Sequence, residues 1–143
     1  MTVRTMNTDK EKLLSEITSP LKAKGYKKRS TTWVKQSDPQ NGIFTVINIQ
    51  GSQYDKKAYY VNLGVYIHAL GQKEIPSCIA DCHMQERITS EINSSEIFLK
   101  IIKKWESLYG SYEQIYERIL ENKMPMLTDR RLCSYFLVTG RKR

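Results

Sequence analysis

Two runs of the chain, residues 43–50 and 59–67, are rich in β-branched and aromatic side chains and lie on either side of a polar break at 51–57. The break holds glycine, serine and aspartate, which favour turns. This pattern predicts two antiparallel strands joined by a hairpin loop.

Successive side chains of a strand point to opposite faces of the sheet, so each run has two faces. One face is apolar and is predicted to form the core: Ile43, Ile47, Ile49, Tyr59, Val61, Leu63, Val65 and Ile67. The other face mixes apolar with neutral polar groups: Phe44, Val46, Asn48, Gln50, Tyr60, Asn62, Gly64, Tyr66 and His68. Such a mixture indicates a partly covered surface. Its carboxamides either satisfy the backbone of nearby loops or form a binding site, and both interpretations remain open.

A helical period precedes the strands. Thr8 and Glu11 have the spacing of a capping box, and Gly25 is a suitable residue to end the helix. Pro20 has no N–H to donate, so the helix is predicted to break near Thr18–Ser19.

Shorter strands are predicted at Thr31–Lys35 and at about Cys82–Ile88, with a loop at Ala69–Ala80 before the second. From Ser94 onwards the period is helical again. The order predicts an α+β fold with an antiparallel sheet of about four strands, preceded by one helix and followed by two or three helices packed on one face. We expect a single domain over 1–143, with its core at about 8–137 and a basic C-terminal tail at 138–143.

Positive charge is concentrated in the first half of the chain. The formal net charge is +8, and residues 1–73 hold 12 basic and 5 acidic side chains against 11 and 10 in residues 74–143. Lys27, Lys28 and Arg29 form a basic patch that suits nucleic acid, acidic lipid or an acidic protein, although a solvated surface has the same composition.

No apolar run approaches the roughly 18 residues of a membrane span, and the N-terminus lacks an apolar signal core. We therefore expect a cytoplasmic protein with no membrane partner. In that reducing compartment Cys78, Cys82 and Cys133 are expected to be free thiols.

Four segments together resemble a known family: Pro20-Leu21 with Lys24-Gly25-Tyr26-Lys27-Lys28, Val46 to Ser52, Tyr60 to Tyr66, and Cys82-His83 with Arg87-Ile88. The chain is similar over about Thr8 to Leu137 to the bacterial domain of unknown function 4304. Asn-x-Gln at 48–50 and Asn-Leu-Gly at 62–64 are the most specific elements. The family usually has Phe at the position of Tyr26 and Lys at that of Gly51, and the later helices match only in outline.

The resemblance implies a bacterial cytosolic protein with a small α+β domain, and it supplies no catalytic residues. Related small domains are regarded as immunity proteins, which bind and neutralise a toxin. That part of the expectation is an analogy between folds.

Metal binding and catalysis find little support in the residue spacing. Cys78, Cys82 and His83 are zinc-ligand types, but a paired Cys-x-x-Cys is missing, and a fourth ligand would require Cys133 or His68 to converge on them. Cys82 and His83 are neighbours on a predicted strand and point to opposite faces, so they do not form a nucleophile–base pair. We expect no metal, no cofactor and no enzymatic activity.

The predicted binding set lies on the mixed face: Asn48, Gln50, Tyr60, Asn62, Tyr66, His83 and Arg87. A guanidinium and an imidazole beside carboxamides suit a carboxylate or a phosphate. Arg87 has an alternative, which is to pair with a nearby acid such as Glu86, Asp81 or Glu91.

The sequence therefore predicts a non-enzymatic interaction domain with a toxin-like protein partner. The alternative is a nucleic-acid-binding module, in which Lys27, Lys28 and Arg29 contact the backbone. In that case Trp33, Tyr60 and Tyr66 are the aromatic rings available to the bases.

Overall fold

A computed structural model describes residues 10–51, 59–88, 92, 94–125 and 127–141. It contains four helices and six strands in this order: α1 Lys10–Ala23, β1 Lys27–Arg29, β2 Thr32–Asp38, β3 Ile43–Gly51, β4 Tyr59–Ile67, β5 Met84–Ile88, α2 Ser95–Tyr109, α3 Tyr112–Leu120, β6 Leu127–Thr128 and α4 Arg130–Gly140.

The six strands form one sheet in the order β1-β2-β3-β4-β5-β6, and every neighbouring pair is antiparallel. The predicted α+β architecture is confirmed, with six strands in place of about four. β1 consists only of charged residues and β6 has two residues, so neither shows the apolar alternation that marks a strand in a sequence.

All four helices contribute to a single core on one face of the sheet. Leu13 of α1, Trp105 of α2, Ile115 of α3 and Phe136 of α4 are buried in it. The sheet side of this core is the predicted apolar face: Ile43, Ile47, Ile49, Val61, Leu63, Val65 and Ile67. The assignment of the two faces is therefore confirmed.

Helix α1 runs through Pro20 without a break, so the predicted interruption near Thr18–Ser19 is wrong. Proline removes the hydrogen bond of its own nitrogen, whereas its carbonyl oxygen still accepts. The Pro20 oxygen accepts from Lys24 N at 3.1 Å, which retains the last turn. The predicted cap at Thr8 lies outside the described residues.

Gly25 ends α1 in a Schellman turn. Its φ of +99° is in the left-handed region that favours glycine. Tyr26 N donates to Leu21 O at 3.0 Å and Gly25 N donates to Lys22 O at 3.0 Å, which satisfies two terminal carbonyls of the helix. This turn leads the chain into β1 and so places the basic patch on the edge of the sheet.

The C-terminal helix is longer than predicted. α4 extends to Gly140, so the first residues of the predicted basic tail, 138–140, are helical. Within the described part of the chain, no helix has the length and apolar character needed to cross a membrane.

Candidate functional site: the open face of the sheet

The face of the sheet opposite the helices divides into two regions. One is a small apolar cluster separate from the main core, formed by Phe44, Val46, Tyr66 and Cys82 with Val34 and Ile79 at its edge; we call it the covered half. The other, which we call the polar half, consists of Thr32, Asn48, Gln50, Tyr60, Asn62 and Arg87.

Strand register builds the polar half. Thr32 lies opposite Asn48, Asn48 opposite Asn62, and Asn62 opposite Arg87, so these residues form one row across β2, β3, β4 and β5. Directly opposed residues of antiparallel strands point to the same face. Gln50 and Tyr60 are the next opposed pair along β3 and β4.

A continuous hydrogen-bond network joins this row. Arg87 Nε donates to Asn62 Oδ1 at 3.0 Å and Arg87 Nη2 to Gln50 Oε1 at 3.2 Å. Asn62 Nδ2 donates to Asn48 Oδ1 at 3.0 Å and to Gln50 Oε1 at 3.3 Å. Asn48 Nδ2 then donates to Thr32 Oγ1 at 3.0 Å. Each carboxamide oxygen of the polar half accepts from within the network.

The network leaves hydrogen-bond donors for an external partner. The Gln50 amide nitrogen has no hydrogen-bond partner among the described residues, and Arg87 uses only part of its guanidinium. Both side chains are exposed. The polar half contains no carboxylate, and its exposed donors are the amide of Gln50 and the positively charged guanidinium of Arg87.

Arg87 also contacts an aromatic ring. Its guanidinium carbon lies 4.4 Å from the ring centroid of Tyr60, a cation–π contact that restricts the side chain. Of the acids weighed as alternative partners, Glu86 and Asp81 form no ion pair with Arg87. Glu91 lies outside the described residues.

Burial separates inner from outer members of the polar half. Asn62 is 7% exposed and Thr32 is 6% exposed, whereas Tyr60 is 39% exposed. A buried amide without a partner costs about 1–3 kcal/mol. The hydrogen bonds of Asn62 therefore stabilise the sheet, while Gln50, Tyr60 and Arg87 form the accessible surface.

Tyr66 belongs to the covered half. Its hydroxyl donates to Lys73 O at 2.7 Å and accepts from Lys73 N at 2.9 Å, which fixes the loop between β4 and β5. The ring is only 2% exposed. Gly71 lies against this phenol so closely that a Cβ there would come within 2.0 Å of its oxygen.

His83 is also placed in the covered half. Its Nδ1 accepts from Ile67 N at 3.0 Å, and its ring centroid lies 5.1 Å from that of Tyr66. Burial, followed by the positive charge of Arg131, lowers the pKa of His83 below its ordinary 6.5. The imidazole is therefore neutral at neutral pH and acts as an acceptor for the backbone.

His83 and Tyr66 lie on the predicted mixed face, but in its covered half and apart from the row of carboxamides. Alternation along a strand determines which face of the sheet a side chain occupies, but not where on that face it lies. Because β5 runs antiparallel to β4, Arg87 lies opposite Asn62 while His83 N donates to Val65 O near the other end of the strand.

The three cysteine side chains differ in burial. Cys82 is buried, and burial raises the pKa of its thiol well above the ordinary value. Burial also raises the pKa of Cys133, while Cys78 is exposed. Among the described residues, no three His, Cys, Asp or Glu side chains lie close enough together to hold a metal ion.

The basic patch divides between the two faces. Lys27 lies opposite Val34 and Arg29 opposite Thr32, which places both on the open face, whereas Lys28 lies opposite Trp33 on the helix side. Arg29 therefore extends the row into β1. With strands about 4.8 Å apart, the row has an arginine at each end over a span of about 19 Å.

Thr32 is the member of the network that the sequence interpretation missed. The available signal was alternation along the strand, because Trp33 is a large apolar residue that suits the core and its neighbour Thr32 would then face the other side. The length of the strand pairing, which brings Thr32 opposite Asn48, was not visible in the sequence.

A family model for a domain of unknown function, DUF4304, matches residues 17–129. The chain belongs to that family. In this DUF4304 domain, the two elements that carry the resemblance best, Asn48-x-Gln50 and Asn62-Leu63-Gly64, supply three residues of the network and the glycine beneath Cys82. No curated protein and no solved structure matches the chain.

Proposed function

We propose that this DUF4304 domain is a non-enzymatic binding domain whose polar half holds an acidic surface of a protein partner. The proposal rests on the direction of the hydrogen bonds in the network. All three carboxamide oxygens accept within it, whereas the Gln50 amide and part of the Arg87 guanidinium are left as donors on a row that has an arginine at each end. A toxin neutralised by the domain is the concrete form of that partner.

The distribution of ion pairs supports an acidic partner. Lys24 and Lys35 lie 3.3 and 3.5 Å from the carboxylate of Glu106, which compensates their charge. Arg29 and Arg87 form no ion pair within the described residues. Arginine is preferred where a carboxylate is held by two parallel hydrogen bonds, and it is enriched at the centres of interfaces.

The aromatic rings favour a protein over a nucleic acid. Single-strand binding uses exposed rings on which bases stack. Trp33 and Tyr66 are only 1% and 2% exposed, and Tyr60 already carries the guanidinium of Arg87 on its ring. The residues proposed as stacking platforms therefore offer little free aromatic surface.

The reactive side chains support binding without catalysis. Cys82 is a buried thiol whose pKa is raised by burial, and the Nδ1 of His83 is occupied by a backbone N–H. Neither is poised as a nucleophile or a general base toward a substrate on the open face.

The experiment uses the product of the reading frame adjacent to this gene as the partner, titrated calorimetrically against the purified domain. We expect Arg87→Gln and Arg29→Gln each to weaken binding about tenfold, with a further loss as salt rises from about 50 to about 200 mM. The matched control is Lys100→Gln with Lys103→Gln, which removes two exposed charges from α2 on the other side of the molecule.

Binding that tolerates both arginine substitutions but is lost in the α2 control would place the interface on the helices and overturn the proposal. Nucleic acid is tested in parallel with single-stranded and duplex probes at low salt. A probe shift that weakens on replacing Lys27, Lys28 and Arg29 with Gln, with a flatter salt dependence, would establish the alternative.

A further inference from the structure

The outer edge of β5 is only partly covered. β6 pairs with Met84 and Gln85, whereas among the described residues β4 is the only strand that pairs with Glu86, Arg87 and Ile88. No backbone hydrogen bond joins these three residues to a described turn or loop. An unpaired strand edge presents backbone N–H and C=O groups, so this stretch is a template for one further strand.

An apolar groove lies beside this edge on the helix side of the sheet. Glu86 and Ile88 point to that side, since they lie opposite core residues of β4. Together with Ile101, Lys104 and Leu108 of α2, they line a groove of about 280 Å³. The three apolar side chains are half-buried and so keep apolar contact surface. A strand added at this edge places every second side chain over the groove.

The charges along the edge determine which side chains fit opposite them. Arg87 faces the open side, and its guanidinium donates to Asn62 and Gln50, so it leans over β4. A carboxylate on an added strand therefore needs a long side chain to reach it, which favours glutamate over aspartate. Glu86 forms no ion pair within the described residues, so a basic side chain fits opposite it, as an apolar one fits opposite Ile88.

A second copy of the chain fits this edge poorly. Opposed residues of antiparallel strands share a face, so two copies that pair all three free residues place Arg87 directly opposite Arg87. Like charges in that position destabilise a strand pair. The free part of β5 therefore favours a strand of a different sequence.

We propose that the protein partner adds an extended segment to β5 as a further antiparallel strand. Its residues opposite Ile88, Arg87 and Glu86 are, in chain order, apolar, glutamate and basic. The inference rests on the proposed function for the acidic partner and adds the form in which that partner binds. The glutamate extends the row of the polar half, and the apolar side chain enters the groove.

The probe is the blocked hexapeptide Thr-Val-Glu-Lys-Val-Thr, titrated into the full chain and followed by amide hydrogen exchange. Two analogues carry N-methyl groups on alternate backbone nitrogens. Successive N–H groups of a strand point to opposite edges, so one analogue should bind like the parent and the other should not bind. We expect saturable slowing of exchange at the outward-pointing amides of residues 86–88, with exchange in β1 unchanged.

A charge exchange tests the register. Arg87→Glu should weaken peptide binding up to about tenfold, and lysine in place of the peptide glutamate should restore it. Aspartate in place of that glutamate should bind more weakly than the parent peptide. Arg29→Glu, at the far end of the row, makes the same change of charge and should leave peptide binding unaltered.

Equal binding of the two methylated analogues, unchanged exchange at residues 86–88, or protection of β1 instead would overturn the inference, even where Arg87→Gln weakens binding of the protein partner. A partner that tolerates both Arg29→Gln and Arg87→Gln would overturn the proposed function and this inference together. Protection of residues 86–88 that rises with the concentration of the domain alone would make a second copy the occupant and would also overturn it.

Discussion

The covered half and the polar half lie on the same strands and the same face of the sheet, yet they are stabilised differently. In the covered half, Phe44, Val46 and Tyr66 pack beneath a loop of the chain itself. In the polar half, carboxamides of neighbouring strands bond to one another, and those of Asn48 and Gln50 remain partly or fully exposed. The same sheet therefore has a closed apolar end and an open hydrogen-bonding end.

The difference depends on the connection between β4 and β5. Its short helical turn at Ile79–Asp81 returns over Gly64, where a Cβ would come within 2.6 Å of Cys82 Sγ and 2.8 Å of Ile79 Cδ1. The loop reaches the sheet because position 64 has no side chain. Two residues away, Asn62 has its own side-chain partners and needs no cover.

The largest effect is expected from adding a side chain at position 64, where the loop packs closely against β4. Gly64→Val forces the loop away from β4, and overpacking of this kind costs roughly 2–3 kcal/mol. We expect the melting temperature to fall by roughly 3–5 °C per kcal/mol, together with faster tryptic cleavage at Lys73.

Gly51→Val is the matched control, since the atoms of the described residues that a Cβ there would meet are at the end of the Lys10 side chain. Its stability should stay within about 0.5 kcal/mol of the parent. If Gly64→Val were equally neutral, contact with the loop would not be what distinguishes the covered half.

The second effect concerns the centre of the polar half. Asn62→Leu removes the partner of Arg87 Nε and the donor to Asn48 and Gln50, so we expect a loss of about 2 kcal/mol in thermal unfolding. Gln50→Leu, at the exposed rim, should change stability by less than about 0.5 kcal/mol.

These two variants also separate structure from binding. Gln50→Leu should weaken binding of the protein partner while the fold stays intact, because it removes an outward donor. Unchanged binding together with a large loss of stability in Gln50→Leu would make the whole polar half structural.

Much of this fold was predictable because alternation over long strands is a strong signal. The runs at 43–50 and 59–67 assigned both faces, and parity placed Asn62 and Arg87 on the same side of the sheet. The strand at Lys27–Arg29 was not predictable from alternation, since three charged residues form it only because the turn at Gly25 delivers them to β2.

The division of the open face was beyond the sequence for a different reason. Whether a loop folds back over a sheet depends on long-range packing, and the only local sign was an isolated glycine at position 64. Without knowledge of that contact, nothing in the sequence distinguished Tyr66 and His83 from the carboxamides as candidate binding residues. Their partners, Lys73 and the Ile67 backbone, became evident only with the loop in place.

A smaller effect is expected from the hydroxyl that fixes this loop. Tyr66→Phe leaves both the N–H and the carbonyl of Lys73 without this partner, at a cost of about 1–2 kcal/mol. Amide hydrogen exchange at Lys73 should accelerate while exchange at Asn48 and Asn62 is unchanged. Equal acceleration in both regions would show that the two halves unfold together.

The smallest effect is a response to acid, and it should be confined to the covered half because the polar half has no carboxylate or imidazole. Burial alone would raise the pKa of Asp81, but hydrogen bonds from Ser77 N, Lys73 and Cys78 N outweigh it and lower the pKa from 3.8 to about 2. The stabilisation by Asp81 is therefore complete above pH 4 and is lost as pH falls toward 2.

His83 acts in the same direction at higher pH. Its pKa is lowered from 6.5 by burial and by Arg131, against the opposing charges of Asp129 and Asp81, so its stabilisation of the fold is complete above pH 6.5 and is lost as pH falls from there through the lowered pKa. Amide chemical shifts of Ser77 and Lys73 should report an acid transition that Asp81→Asn abolishes, and the Ile67 amide should report a separate one at the pKa of His83. The side-chain amide signals of Asn48 and Asn62 should remain constant across both transitions. If they moved with the Ser77 amide, the two halves would be one cooperative unit, and the comparison between a closed and an open end of the sheet would not hold.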